Sequence, residues 1–435
     1  MELIYKYTRK YLGKLLELYV TYLAASFMGA LASESVLNEK VTVWESLTDM
    51  NDTSNVVLLC ITCFVILWIA VMFVSGLLSR NMSYSQQFMK LMDSHSNPLL
   101  RNGENAVLSN GGFKWADDCT LWHAPQLVIG VDSDDVLVMQ YTKQAFKFED
   151  KQLEEERRKF YRSKEFQSKV VAMGNNQTRY MLSGFKENFD RSHPRLGIRI
   201  RKTEWSYCRY AWTNKELRES NVRMFLSDIH APINMPNSFA LHLIIETRDG
   251  NVLTTQVSGT KSNDYSNSIA VSIGEQVELL DFHDHQDFTR DFVSMWVKRA
   301  LCEEFGLSAS SYEKCFDTDS ISVLSLNLEA DIFNFSLAVL VKMRMTKNEF
   351  VKEVNASFDT KEISRIDEMR PGEIVDVLLD YDPKAERVYH PSSYLRLLLF
   401  YLNKNGIART SRNFVIASRR RKRRAGKSQC MGEEI

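Results

Sequence analysis

Proline and glycine are scarce, at 8 and 18 of 435 residues, which excludes a collagen-like or linker-dominated chain. Net charge is absent as well. The 55 Lys and Arg side chains balance 55 Asp and Glu, so no nucleic-acid polymer is expected as a partner of the whole chain, and any such role falls to local charge. A cysteine framework is also missing. The seven cysteines are odd in number, and the only C-x-x-C pair, Cys60 and Cys63, lies in an apolar run where a zinc or redox site would be poorly solvated. The chain therefore reads as one from a reducing compartment. It has no Ser-His-Asp set, P-loop or G-x-G-x-x-G, which leaves acyl transfer, ATP hydrolysis and dinucleotide redox chemistry without support. What it does have is 44% hydrophobic and 11% aromatic residues. That is enough for sizeable cores and, at about 150 residues per domain, for two or three folded units.

The apolar residues are front-loaded. Residues 55–78 read NVVLLCITCFVILWIAVMFVSGLL, uncharged between Asp52 and Arg80. About 20 apolar residues cross a bilayer core, and few soluble helices are apolar on every face. Residues 18–33 (LYVTYLAASFMGALAS) reach spanning length once Leu15, Leu16, Val36 and Leu37 are included. Their small side chains would admit a partner helix. A signal peptide is the rival reading of this first run. The second, longer run and the interrupting Glu17 disfavour it. A two-helix transmembrane hairpin is thus predicted over residues 1–80. Lys6, Arg9, Lys10 and Lys14 precede it, and Glu39, Glu45, Asp49 and Asp52 oppose Lys40 in its loop. The positive-inside rule then places both termini in the cytoplasm, as a two-pass protein of a cell membrane.

The remainder divides by pattern. Residues 81–237 read as a linker and a mixed α/β middle region. Within it, 127–140 suggest two short strands around an Asp-rich turn, and 150–170 suggest an exposed amphipathic helix. From 238 to 415 helix and strand patterns alternate, including a hairpin at Arg248-Asp249-Gly250, strands within 321–345 and an apolar helix over 394–402. Residues 416–435 form a polybasic tail. From Ser418 onward it holds seven basic and two acidic residues, a net of +5. Such runs are usually solvated and disordered, and this one could meet anionic lipid headgroups; a nuclear-localisation or nucleic-acid patch is the less attractive alternative beside two predicted spans.

Two segments offer ligand chemistry. Residues 195–212 (RLGIRIRKTEWSYCRYAW) interleave arginines with aromatic rings. Continued as a strand, they would place Arg199, Arg201, Trp205, Tyr207 and Arg209 on one face. Arginine suits phosphates and rings suit bases. The bland alternative is a half-buried strand with its arginines in water. His283 and His285 have no third ligand and read as a polar turn rather than a metal site.

The second segment is residues 285–307, HQDFTRDFVSMWVKRALCEEFGL. It resembles a Nudix box, G-x5-E-x7-R-E-U-x-E-E-x-G-U with U a bulky aliphatic residue. Arg299, Leu301, Glu303, Glu304, Gly306 and Leu307 match their places, and Asp291 stands for the first glutamate. His285 replaces the initial glycine, and Ala300 the glutamate after the arginine. The resemblance, over about residues 238–402, implies a mixed α/β fold with an α/β/α sandwich. It also implies nucleotide chemistry in which carboxylates hold Mg²⁺. Glu303 and Glu304 would be the metal ligands if the box were active, and Arg299 a ligand contact. Ala300 argues that it is not active, so no cofactor is required.

Two predicted spans followed by such a domain resemble the transmembrane-Nudix effectors of bacterial cyclic-oligonucleotide anti-phage signalling. That resemblance implies a cyclic oligonucleotide and the lipid bilayer as partners, homo-oligomerisation, and disruption of the inner membrane. The alternative reading is a membrane-anchored Nudix hydrolase of a nucleoside diphosphate derivative. An anchored scaffold for a protein partner is the third.

Overall fold

The structure is a computed structural model. It describes residues 53–101, 112–124, 130–164, 166–167, 178–188, 195–258, 267–278, 281, 291–355, 363–382 and 388–432. The chain divides into two units, 1–80 and 81–435.

The described elements begin with α1 (Thr53–Ser94) and α2 (Pro98–Arg101). They are followed by β1 (Lys114–Trp115), β2 (Asp118–His123), β3 (Val131–Asp132), β4 (Val136–Thr142) and α3 (Lys151–Arg162). Next come β5 (Thr178–Asn188), β6 (Arg195–Glu204), α4 (Trp205–Thr213) and α5 (Lys215–Ser227). The remaining chain gives β7 (Phe239–Glu246), β8 (Val252–Val257), β9 (Ile269–Val271), β10 (Gly274–Gln276), α6 (Phe292–Phe305) and α7 (Ala309–Cys315). It closes with β11 (Ser322–Glu329), β12 (Asn334–Lys342), α8 (Lys347–Asn355), β13 (Ile363–Met369), α9 (Pro371–Leu379) and α10 (Pro391–Gly432).

The main sheet runs β1-β2-β11-β12-β7-β8-β13, with β3, β9 and β10 on its flanks. Its centre is the parallel pair β12–β7, in register from Phe335↔Phe239 to Lys342↔Glu246. Both strands are apolar almost throughout, as strands covered on both faces must be. The two-residue period sorts their side chains. Phe239, Leu241, Leu243, Ile245, Leu337, Val339 and Val341 join one core, which includes Trp296 and Leu301 of α6. Ile244, Ala338 and Leu340 join another, with Ile374 of α9 and Leu398 of α10. The sheet is thus covered by helices on both faces, the expected mixed α/β layering. A second, three-stranded sheet runs β4-β6-β5. Asn237 links the two sheets, because its side-chain amide bonds both backbone groups of Leu182 on β5 at 3.0 Å.

The expected membrane hairpin needs correction. A span takes about 20 consecutive apolar residues in one helix. Among the described residues no helix is long and apolar enough to cross a membrane. The first expected segment, 18–33, lies outside the described residues. Helix α1 does not end with its apolar run. It continues through Arg80, Asn81, Lys90 and Asp93, and Tyr84, Phe88 and Met92, four apart, pack into a core of the second unit. The two-span architecture and the two-pass placement in a cell membrane are therefore not supported.

A second difference concerns the tail. Helix α10 extends through residues 416–432, for which the charge run predicts disorder.

Candidate functional site

The box helix α6 forms where the sequence places it. Phe292, Val293, Trp296, Val297, Ala300, Leu301 and Phe305 recur at helical spacing and are buried. Gly306 closes the helix in the left-handed conformation, φ 64° and ψ 32°, which glycine adopts without the Cβ penalty. Ser308 then caps α7 by accepting from Ser311 N–H.

Arg299 projects from this helix into a set of acceptors. Its Nε and Nη2 donate to the two carboxylate oxygens of Asp281 at 2.8 and 2.9 Å. Nη2 also donates to the Gln276 carbonyl at 2.7 Å, and Nη1 to Glu303 Oε2 at 2.8 Å. Glu275 Oε1 lies 3.6 Å from Nη1. Burial alone would lower the Arg299 pKa. The Asp281 hydrogen bonds, then the charges of Asp281, Glu275 and Glu303, outweigh it and push the pKa up. The guanidinium is therefore a permanent cation, and its hydrogen bonds go to Asp281, to the Gln276 carbonyl in β10 and to Glu303 on α6. It ties Asp281 and the end of β10 to α6.

Among the described residues the carboxylates of the box do not gather into a divalent-metal site. Ala300, in place of a glutamate, is fully buried in the core, and a methyl group offers a metal no lone pair. Glu303 is 55% exposed and committed to Arg299. Glu304, next along the helix, is half-buried. Asp291 stands at the N-cap without a side-chain capping bond, and His285 lies outside the described residues. Among the described residues no group of three or more His, Cys, Asp or Glu side chains could hold a metal ion.

The arginine–aromatic segment is not one strand face. Strand β6 ends at Glu204, and Trp205–Thr213 is helical, so the alternating parity stops there. Trp205 and Cys208 turn inward against Phe166. Tyr207 and Tyr210 pack with Phe146, Phe148 and Met181. The Tyr207 hydroxyl donates to Glu154 Oε2 at 3.0 Å, and the Arg157 guanidinium sits 4.2 Å over its ring. Arg209 lies 5.1 Å over Trp212. Arg201 lies 5.5 Å over Phe146 and donates to the Gln144 carbonyl at 3.3 Å. Arg199 is half-buried on β6 opposite Gly184. Arg199 and Arg201 remain strand neighbours, whereas Trp205, Tyr207, Arg209 and Arg299 are placed elsewhere.

Sequence reasoning missed a buried polar group on the main sheet. Asp118 on β2 stands directly across from Glu329 on β11, and they are 2% and 5% exposed. His242 Nε2 on β7 lies 3.5 Å from Glu329 Oε1. Arg396 on α10 is buried beside them, but its donors go to the carbonyls of Ser392, Val271 and Ile273 and to the hydroxyls of Ser392 and Ser393. Burial, then the charges of Glu329, Asp331 and Asp117, push the Asp118 carboxyl well up. Burial, then Asp331, pushes Glu329 up. Burial likewise lowers His242 well below its ordinary value. Both shifts disfavour the charged forms, so burial works against an ion pair across the 3.5 Å contact. The signal in the sequence was a lone ionisable residue inside an apolar run, as in FALHLIIE and YLRLLLF.

A cleft of about 470 Å³ opens elsewhere, between β8, β13 and α9. Asp367, Glu368 and Glu373 against Arg365 give its lining a negative balance, unsuited to phosphate.

No protein-family model matches the chain, and no curated protein does. Solved structures do. DR0079 from Deinococcus radiodurans is 12% identical, covering 37% of this chain and 80% of its own, with a TM-score of 0.23. A mutT/nudix family protein from Listeria innocua is 14% identical over 38% of this chain and 92% of its own, with a TM-score of 0.24. Tm1382, named as a candidate Nudix hydrolase, is 11% identical over 51% of this chain and all of its own, with a TM-score of 0.23. The solved structures that this chain is similar to thus include Nudix family members. At such scores the likeness carries no argument about activity, and the case rests on the side chains.

Proposed function

We propose that residues 238–415 form a Nudix-like module that binds a nucleotide-derived ligand without hydrolysing it, and that the protein senses that ligand. The observation that supports this reading most directly is the chemistry of α6. The helix keeps the arginine, the closing glycine and the apolar face of the box, but Ala300 is buried where a metal-binding carboxylate would stand. The box then serves as a scaffold. Binding without turnover can still act, because a ligand that prefers one conformation shifts the population toward it.

The ligand class to test first is a cyclic oligonucleotide, the class implied by the resemblance to Nudix-containing effectors. Calorimetry of the full chain against a panel of cyclic and linear nucleotides should give saturable binding, with no phosphate released in the presence of Mg²⁺. Mg²⁺-dependent release that is lost in Glu304→Gln would replace this reading with a hydrolase. Absence of binding across the panel would remove the sensor reading.

A further inference from the structure

The second half of α10 carries an arrangement that the nucleotide reading does not use. Gly406, at φ 69° and ψ 165°, breaks the helix, and helical structure resumes beyond it. At 100° per residue, Thr410, Ser411, Phe414 and Val415 share one side, and all four are buried. Two further contacts fix the rotation of the helix. Arg421 donates to both Asp376 and Asp380 on the α9 side, and Arg419 donates to Gln87 Oε1 at 2.6 Å.

The opposite side is basic. Arg409, Arg412, Arg420 and Arg423 fall within about 80° of arc and span about 21 Å along the axis, and all four are exposed. No Asp or Glu occurs between Asn405 and Gly432, and none of the four has an ion-pair partner among the described residues. Helix electrostatics do not account for the stripe. Arg409 sits in the first turn after Gly406, where the helix dipole disfavours a cation. Two pairs of guanidinium forks, Arg409 with Arg412 and Arg420 with Arg423, flank the half-buried Ile416 on this face and suit phosphates, which arginine binds through paired hydrogen bonds. A membrane-surface helix would offer its apolar face to lipid. Here that face, with Phe414 and Val415, is already packed in the protein's own core.

We infer that the Arg409–Arg412–Arg420–Arg423 face of α10 docks the phosphate backbone of a nucleic acid, independently of base sequence. The neutral charge of the whole chain conceals this surface, because residues elsewhere compensate it.

The test is fluorescence anisotropy of the full-length protein with a labelled DNA duplex across a salt series. Four phosphate contacts predict a slope of about −3.6 in log K against log salt, or roughly a 150-fold loss of affinity between about 50 and about 200 mM salt. The double variant R420A/R423A should lower the slope by about 2 while leaving the thermal midpoint in place, since both side chains are exposed. R409A/R412A should do the same from the other end. Two results would overturn the inference: no binding at the lowest salt, or binding indifferent to both double variants. Vesicles of phosphatidylglycerol that bind through these arginines while the duplex does not would also overturn it, in favour of a lipid surface.

Discussion

Removing the Arg299 guanidinium should destabilise the protein far more than its position near the surface suggests. Asp281 is 1% exposed in its side chain, and Arg299 only 12%. Asp281 accepts two hydrogen bonds from Arg299 and one, at 2.7 Å, from Glu278 N–H. In Arg299→Ala the carboxylate would stay buried with a single donor, and breaking a buried pair in this way costs about 3–5 kcal/mol. The Gln276 carbonyl would lose its partner too, adding about 1 kcal/mol. Against a typical stability of about 5–15 kcal/mol, that is about a quarter of the total or more. Arg299→Lys keeps the charge but not the fork and should lie between the two. Urea unfolding followed by tryptophan fluorescence provides the assay, because Trp296 is buried one helical turn away. The decisive control is Asp281→Asn. Once the carboxylate is gone, Arg299→Ala should become cheaper by about 2 kcal/mol or more in a double-mutant cycle. An Arg299→Ala cost under about 1 kcal/mol, or simple additivity with Asp281→Asn, would refute the clamp and return Arg299 to the candidate ligand contacts.

The buried acids set a pH dependence. Glu329 is pushed up to about 8 from an ordinary 4.5, so the folded state holds its proton more tightly than the unfolded chain does. Its contribution is complete below the unfolded pKa and is lost as pH rises toward 8. The thermal midpoint should fall across that window, and Glu329→Gln should flatten the decline; an unchanged slope in the variant would sink the assignment. Ala300→Glu should not restore a hydrolase. It should cost about 3 kcal/mol or more by forcing a carboxylate into a packed core, measured as a lower denaturation midpoint with no gain in phosphate release. Trp296→Ala, which opens space between Phe239 and Phe292, should cost about 3–5 kcal/mol. Gly306→Ala should cost about 1 kcal/mol through its positive φ, read from the same unfolding curves.

Much of the central fold was legible because its signals are local. Asp249-Gly250 marks the turn between β7 and β8, with Gly250 at φ 80°. Gly306 marks the end of α6, and the apolar runs within 321–345 become β11 and β12. Errors arose where one pattern served two structures. In residues 195–212 the interleaved arginines and rings satisfy a two-residue period, yet 205, 208 and 211, like 207 and 210, are equally at helical spacing. Packing against Phe166, Phe146 and Phe148 decides for the helix after Glu204. The tail is a similar case. Its charge predicts solvation, but the pairs 410/411 and 414/415 give it a buried face, and Arg421 finds Asp376 and Asp380 some 40 residues away. Distance along the chain also hid the Asp118–Glu329 pair, since only the register of β2 against β11 brings those carboxyls together. The box shows the limit most plainly. A sequence match at Arg299 cannot tell a ligand contact from a clamp, because both need the same cation. What separates them is where Asp281 sits, and Asp281 precedes the motif altogether.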